Sequence, residues 1–410
     1  MDSNGSASLS HVPRSENLEP LPGDLVAAHL PPGPAWVGLV ADVWAAGAAL
    51  LPLDVRSPAP EARALVERAG PTILVDGDGS RRLAPPTQDR ELALALPTSG
   101  TSGEPKLVEL TRDAVRAAVE GSAETLGSRP DDPWLSCLTP AHVGGLLVLL
   151  RAALLGAPVI AHPGFDPEAV GREHTARFVS LVPTMLGRLV RTGVDLSRFR
   201  AILVGGAELP PGLRAIAERA GGRVVETYGL TESGGGVVYE GRPFRGTRVS
   251  LDPTTSEILL QGPTLMRGYR GSADRPFTPD GRLRTGDVGW IDDDGRLRVQ
   301  GRLDDLIVTG GEKVWPEEVE RALRGSPKVA EVAVVGLPDD EWGRRVTAFV
   351  VPVRPTDPPS LEELRDEVAR SLARFKAPRE VVLVDRLPRT TSGKVRRSRL
   401  ATGGEPRPPE

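Results

Sequence analysis

Ten residues, Pro97 to Lys106, read PTSGTSGEPK and put four hydroxyls, two glycines and one lysine into a single short span. Glycine lets backbone N–H groups close on an anion with no Cβ in the way. The hydroxyls of Thr98, Ser99, Thr101 and Ser102 add donors around Gly100 and Gly103. Lys106 adds a compact positive charge suited to phosphate. The chemistry this set fits is the holding of a polyphosphate. It is not a Walker loop, which needs Gly-Lys followed by Ser or Thr, because Glu104 and Pro105 stand between Gly103 and Lys106. No G-x-G-x-x-G fingerprint occurs, so a Rossmann dinucleotide site is not signalled. A flexible Gly/Ser linker is the bland alternative. A linker needs neither flanking strands nor a terminal lysine.

Strands do flank it. Leu92, Leu94 and Leu96 alternate with alanines, and a second strand is expected over 107–110. Thr111 suits the N-cap of a helix over 112–126. Further along, four more stretches carry groups that do chemistry. Gly205-Gly206-Ala207 closes the apolar run 201–204, where paired glycines leave room for a flat ring or simply turn the chain before Pro210 and Pro211. Tyr228-Gly229-Leu230-Thr231-Glu232-Ser233 follows a strand over 223–226; tyrosine can stack, threonine can donate, and a carboxylate can hold Mg²⁺. Arg284-Thr285-Gly286-Asp287 precedes a hairpin turning at Asp294-Gly295. The polar loop 387–394 presents Lys394. Each has a structural alternative, since Asp and Gly form turns without any ligand. His142 is likewise either a packed histidine or a pocket wall beside Gly144 and Gly145.

The elements that must position these groups alternate between strand and helix, which implies an α/β layered domain. Helices are expected over 36–46 and 60–69, with strands over 49–53, 72–75 and 177–182. Beyond Gly301-Arg302-Leu303-Asp304-Asp305 the pattern changes to a smaller α+β region of strands (306–308, 331–335, 346–351, 381–384) and helices (316–323, 361–372). The domain expectation is therefore an N-terminal core over 1–301, a boundary at 302–305, a small C-terminal domain over 306–403 and a tail over 404–410.

At 410 residues the chain is long enough for two or three domains. A net charge of −4 argues against a general nucleic-acid partner. Cys137 is the single cysteine, which leaves no intrachain disulfide framework and suits a reducing compartment, the cytoplasm. The N-terminal 20 residues lack the apolar run of a signal peptide. The most apolar stretch, 35–53, contains Asp42, Gly38 and Gly47 and reads as a buried helix entering a strand, with no membrane span. Only five of the 51 basic residues are lysine. Lys106 and Lys394 both sit in motifs where an ammonium differs chemically from a guanidinium.

TSGTSGEPK, YGLTES, RTGD, GRLDD and TTSGK occur here in the order they take in the adenylate-forming enzymes, which include acyl-CoA synthetases, luciferases and peptide-synthetase adenylation domains. The chain resembles that family over nearly its whole length. The stretches TPAHVGGLLVLLRAALLGAPV, RFVSLVPTMLGRLV, YGLTESGGGVVYEGRPFRG and TGGEKVWPEEVE are most similar to the o-succinylbenzoate–CoA ligases of menaquinone biosynthesis. Related aryl or aliphatic acid–CoA ligases and carrier-loading adenylation enzymes are the alternatives. The resemblance implies a large layered α/β N-terminal domain, partly trimmed at its N-terminus, and a small mobile α+β C-terminal domain. It also implies ATP, Mg²⁺ and coenzyme A, a small carboxylic acid as substrate, and a homodimer as one state of assembly.

Roles follow from the same resemblance. Residues 98–103 and Lys106 would hold the β- and γ-phosphates. Gly205, Gly206, Ala207, Tyr228 and Gly229 would face adenine. Thr231 would reach the α-phosphate, Glu232 the metal, and Asp287 with Arg302 the ribose. His142 would meet the acyl carboxylate and Lys394 would bridge it to the α-phosphate. Asp304 would be the hinge, and Gly310 and Gly311 would let the pantetheine arm of CoA pass.

Overall fold

The computed structural model describes residues 19–98, 106–389 and 395–401. Ser99, Gly100, Thr101, Ser102, Gly103 and Lys394 therefore lie outside the described residues. The chain divides into two compact units, one of residues 1–249 and 260–283, the other of 250–259 and 284–410.

The first unit contains two seven-stranded sheets. One runs Gly268–Tyr269, Lys106–Thr111, Leu92–Thr98, Ala49–Pro52, Leu25–Ala28, Ile73–Asp76, Gly79–Arg82. Its centre is parallel and its margins antiparallel. The other runs Arg242–Pro243, Gly235–Tyr239, Val224–Leu230, Ala201–Val204, Phe178–Leu181, Trp134–Ser136, Val159–Ala161. Its strands pair in parallel from Val159–Ala161 across to Val224–Leu230. These central strands are almost wholly apolar, as strands covered on both faces must be. Leu135, Val179, Ile202 and Val204 lie in one buried cluster with Leu186, Leu189 and Ala217 from the flanking helices Pro183–Arg191 and Pro211–Arg219.

Helix Arg112–Leu126 begins where Thr111 accepts a hydrogen bond from the Ala114 N–H and stops at Gly127, whose φ is +61°. Helix Ala35–Ala45 packs on helix Val143–Leu155. That contact accounts for the apolar stretch at 35–53: it is a buried helix followed by strand Ala49–Pro52. No helix among the described residues is long and apolar enough to cross a membrane.

The second unit has a four-stranded sheet drawn mainly from it, in the order Arg248–Leu251, Glu257–Gln261, Leu283–Ile291, Leu297–Arg302. It also has a two-stranded ribbon and a three-stranded sheet of Val329–Asp339, Gly343–Pro352 and Glu380–Leu383. Helices Pro316–Leu323 and Leu361–Ala369 cover the three-stranded sheet through Val319, Leu323, Leu364 and Val368. The α/β architecture with a smaller α+β part is the one the sequence pattern implies.

Candidate active site

In open parallel sheets, ligands bind beyond the carboxyl ends of the strands. In the second sheet, those ends carry three of the stretches singled out above. His142 follows strand Trp134–Ser136, Gly205-Gly206-Ala207 follows Ala201–Val204, and Tyr228 to Glu232 ends Val224–Leu230 and forms the turn Thr231–Ser233. Register places Val204 beside Glu226, so the GGA segment and the YGLTES segment are neighbours. They approach closely: a Cβ on Gly205 would stand 2.3 Å from the hydroxyl of Thr227, the residue just before YGLTES. Gly206 has φ +79°, a conformation that other residues seldom adopt.

The YGLTES turn is held from both sides. Ser233 is fully buried; its hydroxyl accepts from the Leu230 N–H at 2.9 Å and donates to the Gly235 carbonyl at 2.9 Å. The Met266 N–H donates to the Glu232 carbonyl at 2.8 Å. Strand Val224–Leu230 runs beyond the expected 223–226 because Gly235–Tyr239 pairs with it antiparallel. The three glycines at 234–236 serve that approach more than a pocket. A Cβ on Gly229 would strike the Gly235 carbonyl, and one on Gly235 would come within 2.7 Å of Leu147. Gly145 is similarly closed off by the Thr139 carbonyl, whereas Gly144 is exposed and meets nothing closer than Leu138 at 3.9 Å.

Thr98 and Lys106 form the last antiparallel pair on either side of residues 99–105. The Lys106 ammonium donates to Asp274 at 2.6 Å and lies 4.8 Å from the centroid of the Tyr269 ring. His142 caps helix Val143–Leu155, with its Nε2 3.9 Å from a carboxylate oxygen of Asp54. Burial pushes the Asp54 carboxyl up, but hydrogen bonds from Arg56, with the charges of Arg56 and His142, outweigh it and hold Asp54 below the usual carboxylate range.

The second unit holds the other pair. Asp287 and Arg302 face each other across strands Leu283–Ile291 and Leu297–Arg302, and Arg302 donates to Asp287 at 3.0 Å and to the Thr285 carbonyl at 2.8 Å. Gly286, φ +70°, makes room for the guanidinium, 2.7 Å from where its Cβ would stand. Asp304 is exposed in the short turn Leu303–Asp305. Gly310 and Gly311 turn the ribbon between Ile307–Thr309 and Glu312–Val314. A Cβ on Gly310 would meet the Trp342 ring at 2.8 Å, while nothing among the described residues lies within 4 Å of one on Gly311.

Residues 76–270 match the AMP-binding enzyme family, and residues 318–394 match the AMP-binding enzyme C-terminal domain. The chain is 39% identical over 326 residues to a Mycobacterium tuberculosis protein named "Probable 2-succinylbenzoate--CoA ligase", spanning 76% of this chain and 84% of that one. The chain belongs to the AMP-binding enzymes. Among solved structures it is similar to the o-succinylbenzoate CoA synthetase of Bacillus subtilis in complex with its acyl-adenylate, with a TM-score of 0.84 and 28% identity over 95% of this chain and 90% of that one. The same Bacillus subtilis enzyme with ATP and a magnesium ion gives a TM-score of 0.83 at 28% identity, over 93% of this chain and 90% of that one.

That similar Bacillus subtilis structure holds a magnesium ion together with ATP. No group of three or more His, Cys, Asp or Glu among the described residues forms a cage. Mg²⁺ is commonly held by one or two carboxylates, substrate phosphates and water, so a single half-buried Glu232 is a fitting donor.

Two residues of this site carry no sequence signal that singles them out. Asp54 lies two residues past the ordinary apolar strand Ala49–Pro52, and Tyr269 lies 37 residues beyond Glu232, to which its hydroxyl donates at 3.0 Å. A third feature is electrostatic. Arg397, three residues after Lys394, pairs with Asp305 at 3.0 Å, Glu320 at 2.9 Å and Glu317 at 3.1 Å. One cation thus faces three carboxylates. Burial pushes the Glu317 carboxyl from its ordinary 4.5 up to about 7; Arg397 draws it down, and the Glu320 and Asp305 charges add to the rise. Among the described residues its Oε2 is buried without a hydrogen-bond partner.

Between pH 4.5 and about 7 the folded chain keeps this proton while the unfolded chain has lost it. Stability should therefore fall as pH rises through that window, by up to about 3 kcal/mol. Glu317→Gln should melt with the wild type at pH 5 and roughly 5 °C above it at pH 8. Thermal unfolding at the two pH values checks this; a variant less stable at pH 8 refutes it.

Proposed function

We propose that this enzyme is an ATP-dependent acid–CoA ligase that converts o-succinylbenzoate to o-succinylbenzoyl-CoA by way of the acyl-adenylate. The observation that carries the substrate is the 39% identity, over most of both chains, to a protein named for 2-succinylbenzoate. In the first step a carboxylate oxygen attacks the α-phosphorus of ATP, the bond from that phosphorus to the bridging oxygen breaks, and pyrophosphate leaves. In the second, the CoA sulfur attacks the acyl carbon, the carbon–oxygen bond to AMP breaks, and the thiol proton passes to solvent.

Charge builds on phosphate oxygens in the first step, so the protein's part is positioning and electrostatic stabilisation. Thr98 to Gly103 and Lys106 take the β- and γ-phosphates, Thr231 the α-phosphate region, and Gly205, Gly206, Ala207, Tyr228 and Gly229 the adenine. Asp287 and Arg302 take the ribose; a carboxylate has two acceptor oxygens for two hydroxyls. Glu232 would hold Mg²⁺, which when bound would supply positive charge against the phosphates. Lys394 joins the carboxylate to the α-phosphate, and His142 lines the acyl pocket. Asp304 is the hinge of the C-terminal domain, and Gly310 with Gly311 border the pantetheine path. The cytoplasm is the compartment that the single cysteine suits. Sedimentation of the purified protein tests for a homodimer.

Aromatic residues make up only 4% of the chain, so the acid should meet aliphatic and backbone walls. Pyrophosphate release measured across o-succinylbenzoate, benzoates and fatty acids, with and without CoA, should give the highest kcat/KM for o-succinylbenzoate and CoA-dependent AMP release. A higher kcat/KM for a long-chain fatty acid would overturn the substrate assignment. Acyl-adenylate formation with no transfer to free CoA would point to a carrier protein as acceptor.

A further inference from the structure

The phosphate-loop hairpin and the YGLTES turn are joined by a residue that belongs to neither. Tyr269 sits on the marginal strand Gly268–Tyr269, paired antiparallel with the strand that begins at Lys106. Its hydroxyl donates to Glu232 Oε1 at 3.0 Å. Its ring lies under the Lys106 ammonium, 4.8 Å away. The surrounding backbone is laced to both motifs: the Met266 N–H donates to the Glu232 carbonyl at 2.8 Å, and the Arg270 N–H to the Leu107 carbonyl at 2.8 Å.

We propose that Tyr269 is a positioning residue for the ATP-dependent step, one that sets the Glu232 carboxylate and the Lys106 ammonium in register for one metal-bearing polyphosphate. This rests on the roles of Glu232 and Lys106 given above. The chemistry of a tyrosine suits the task. A neutral hydroxyl fixes the orientation of Glu232 while leaving its negative charge intact for a hard cation. The π-face holds the ammonium without neutralising it. A carboxylate in place of the ring would hold Lys106 too, but would cancel the charge that phosphate needs. Asp274 does pair with Lys106, yet that pair is about half exposed, and exposed pairs are weak enough to exchange for a polyphosphate.

Tyr269→Phe keeps the ring and removes only the hydroxyl. In the full-length enzyme, the free Mg²⁺ giving half-maximal ATP–pyrophosphate exchange and the KM for ATP should each rise about tenfold, the worth of a hydrogen bond to a charged group. The KM for the acid and the thermal midpoint should stay at wild-type values. An unchanged Mg²⁺ requirement, or a uniform loss in kcat and both KM values with a lowered midpoint, would overturn the proposal, since that is what a packing role gives. The two layers of the reading separate through Glu232→Gln. If Glu232→Gln itself leaves the Mg²⁺ requirement unchanged, the metal role of Glu232 fails and the proposal falls with it. If Glu232→Gln shifts it, the double variant should shift it no further. Effects that multiply would show Tyr269 acting independently of Glu232, and would overturn the proposal alone.

Discussion

Glu232→Gln is expected to slow acyl-adenylate formation by about 10²-fold or more at limiting magnesium and to recover part of that loss as magnesium is raised. Glutamine keeps the size of the side chain and an oxygen able to accept from the Tyr269 hydroxyl. What it lacks is the negative charge. The backbone of the turn Thr231–Ser233 should not respond, because Ser233 and the Met266 N–H hold it without using the Glu232 side chain. A changed rate therefore reports on the metal rather than on the turn. ATP–pyrophosphate exchange at graded free magnesium is the measurement. Wild-type kinetics at low magnesium would leave Glu232 as a turn residue and remove the metal from the reading.

The residues differ in how plainly the sequence displayed them. Local features were legible. Helix Arg112–Leu126 starts at the threonine expected as its cap, because that device acts within a few residues. Strand Ala201–Val204 shows as an uninterrupted apolar run because it is buried on both faces. Long-range pairings were not legible. RTGD reads as a turn and GRLDD as a domain boundary; the family resemblance alone links Asp287 with Arg302, and the hairpin register is what sets the two side by side. The glycines at 234–236 lead into a strand, Gly235–Tyr239, that packs closely on Gly229 and Leu147. No periodicity marks a strand that opens with residues lacking side chains. Tyr269 escaped for a related reason: its partners lie in two other motifs, so its meaning appears only when strand Gly268–Tyr269 takes its place beside Lys106–Thr111. Glu317 is a similar case. PEEVE is an ordinary helix start in sequence, and its altered acidity comes from burial and from the carboxylates gathered around Arg397.

Lys394→Ala is expected to separate the two half-reactions. Lys394 would touch the transferring groups only while the carboxylate attacks the α-phosphorus, where an ammonium stabilises charge that the ground state has not yet developed. Acyl-adenylate formation should fall by about 10²–10³-fold, as when one preorganised donor is removed from such a site. Transfer of the acyl group from supplied acyl-adenylate to CoA should continue near the wild-type rate. The reason lies in the geometry each step demands. Delivering a lysine to the α-phosphate requires a closed, water-poor site, and a closed site leaves no path for the long pantetheine arm. One arrangement hardly serves both, so on this reading the C-terminal domain turns between steps about residues 302–305. Asp304 is exposed in a short turn, where a substitution disturbs little packing. Proline there fixes φ. Asp304→Pro should spare acyl-adenylate formation and slow thioester formation, the opposite pattern to Lys394→Ala. Single-turnover assays of each half-reaction decide between the two patterns. If both folded variants lose both half-reactions equally, then neither the division of labour nor the turning domain describes this enzyme.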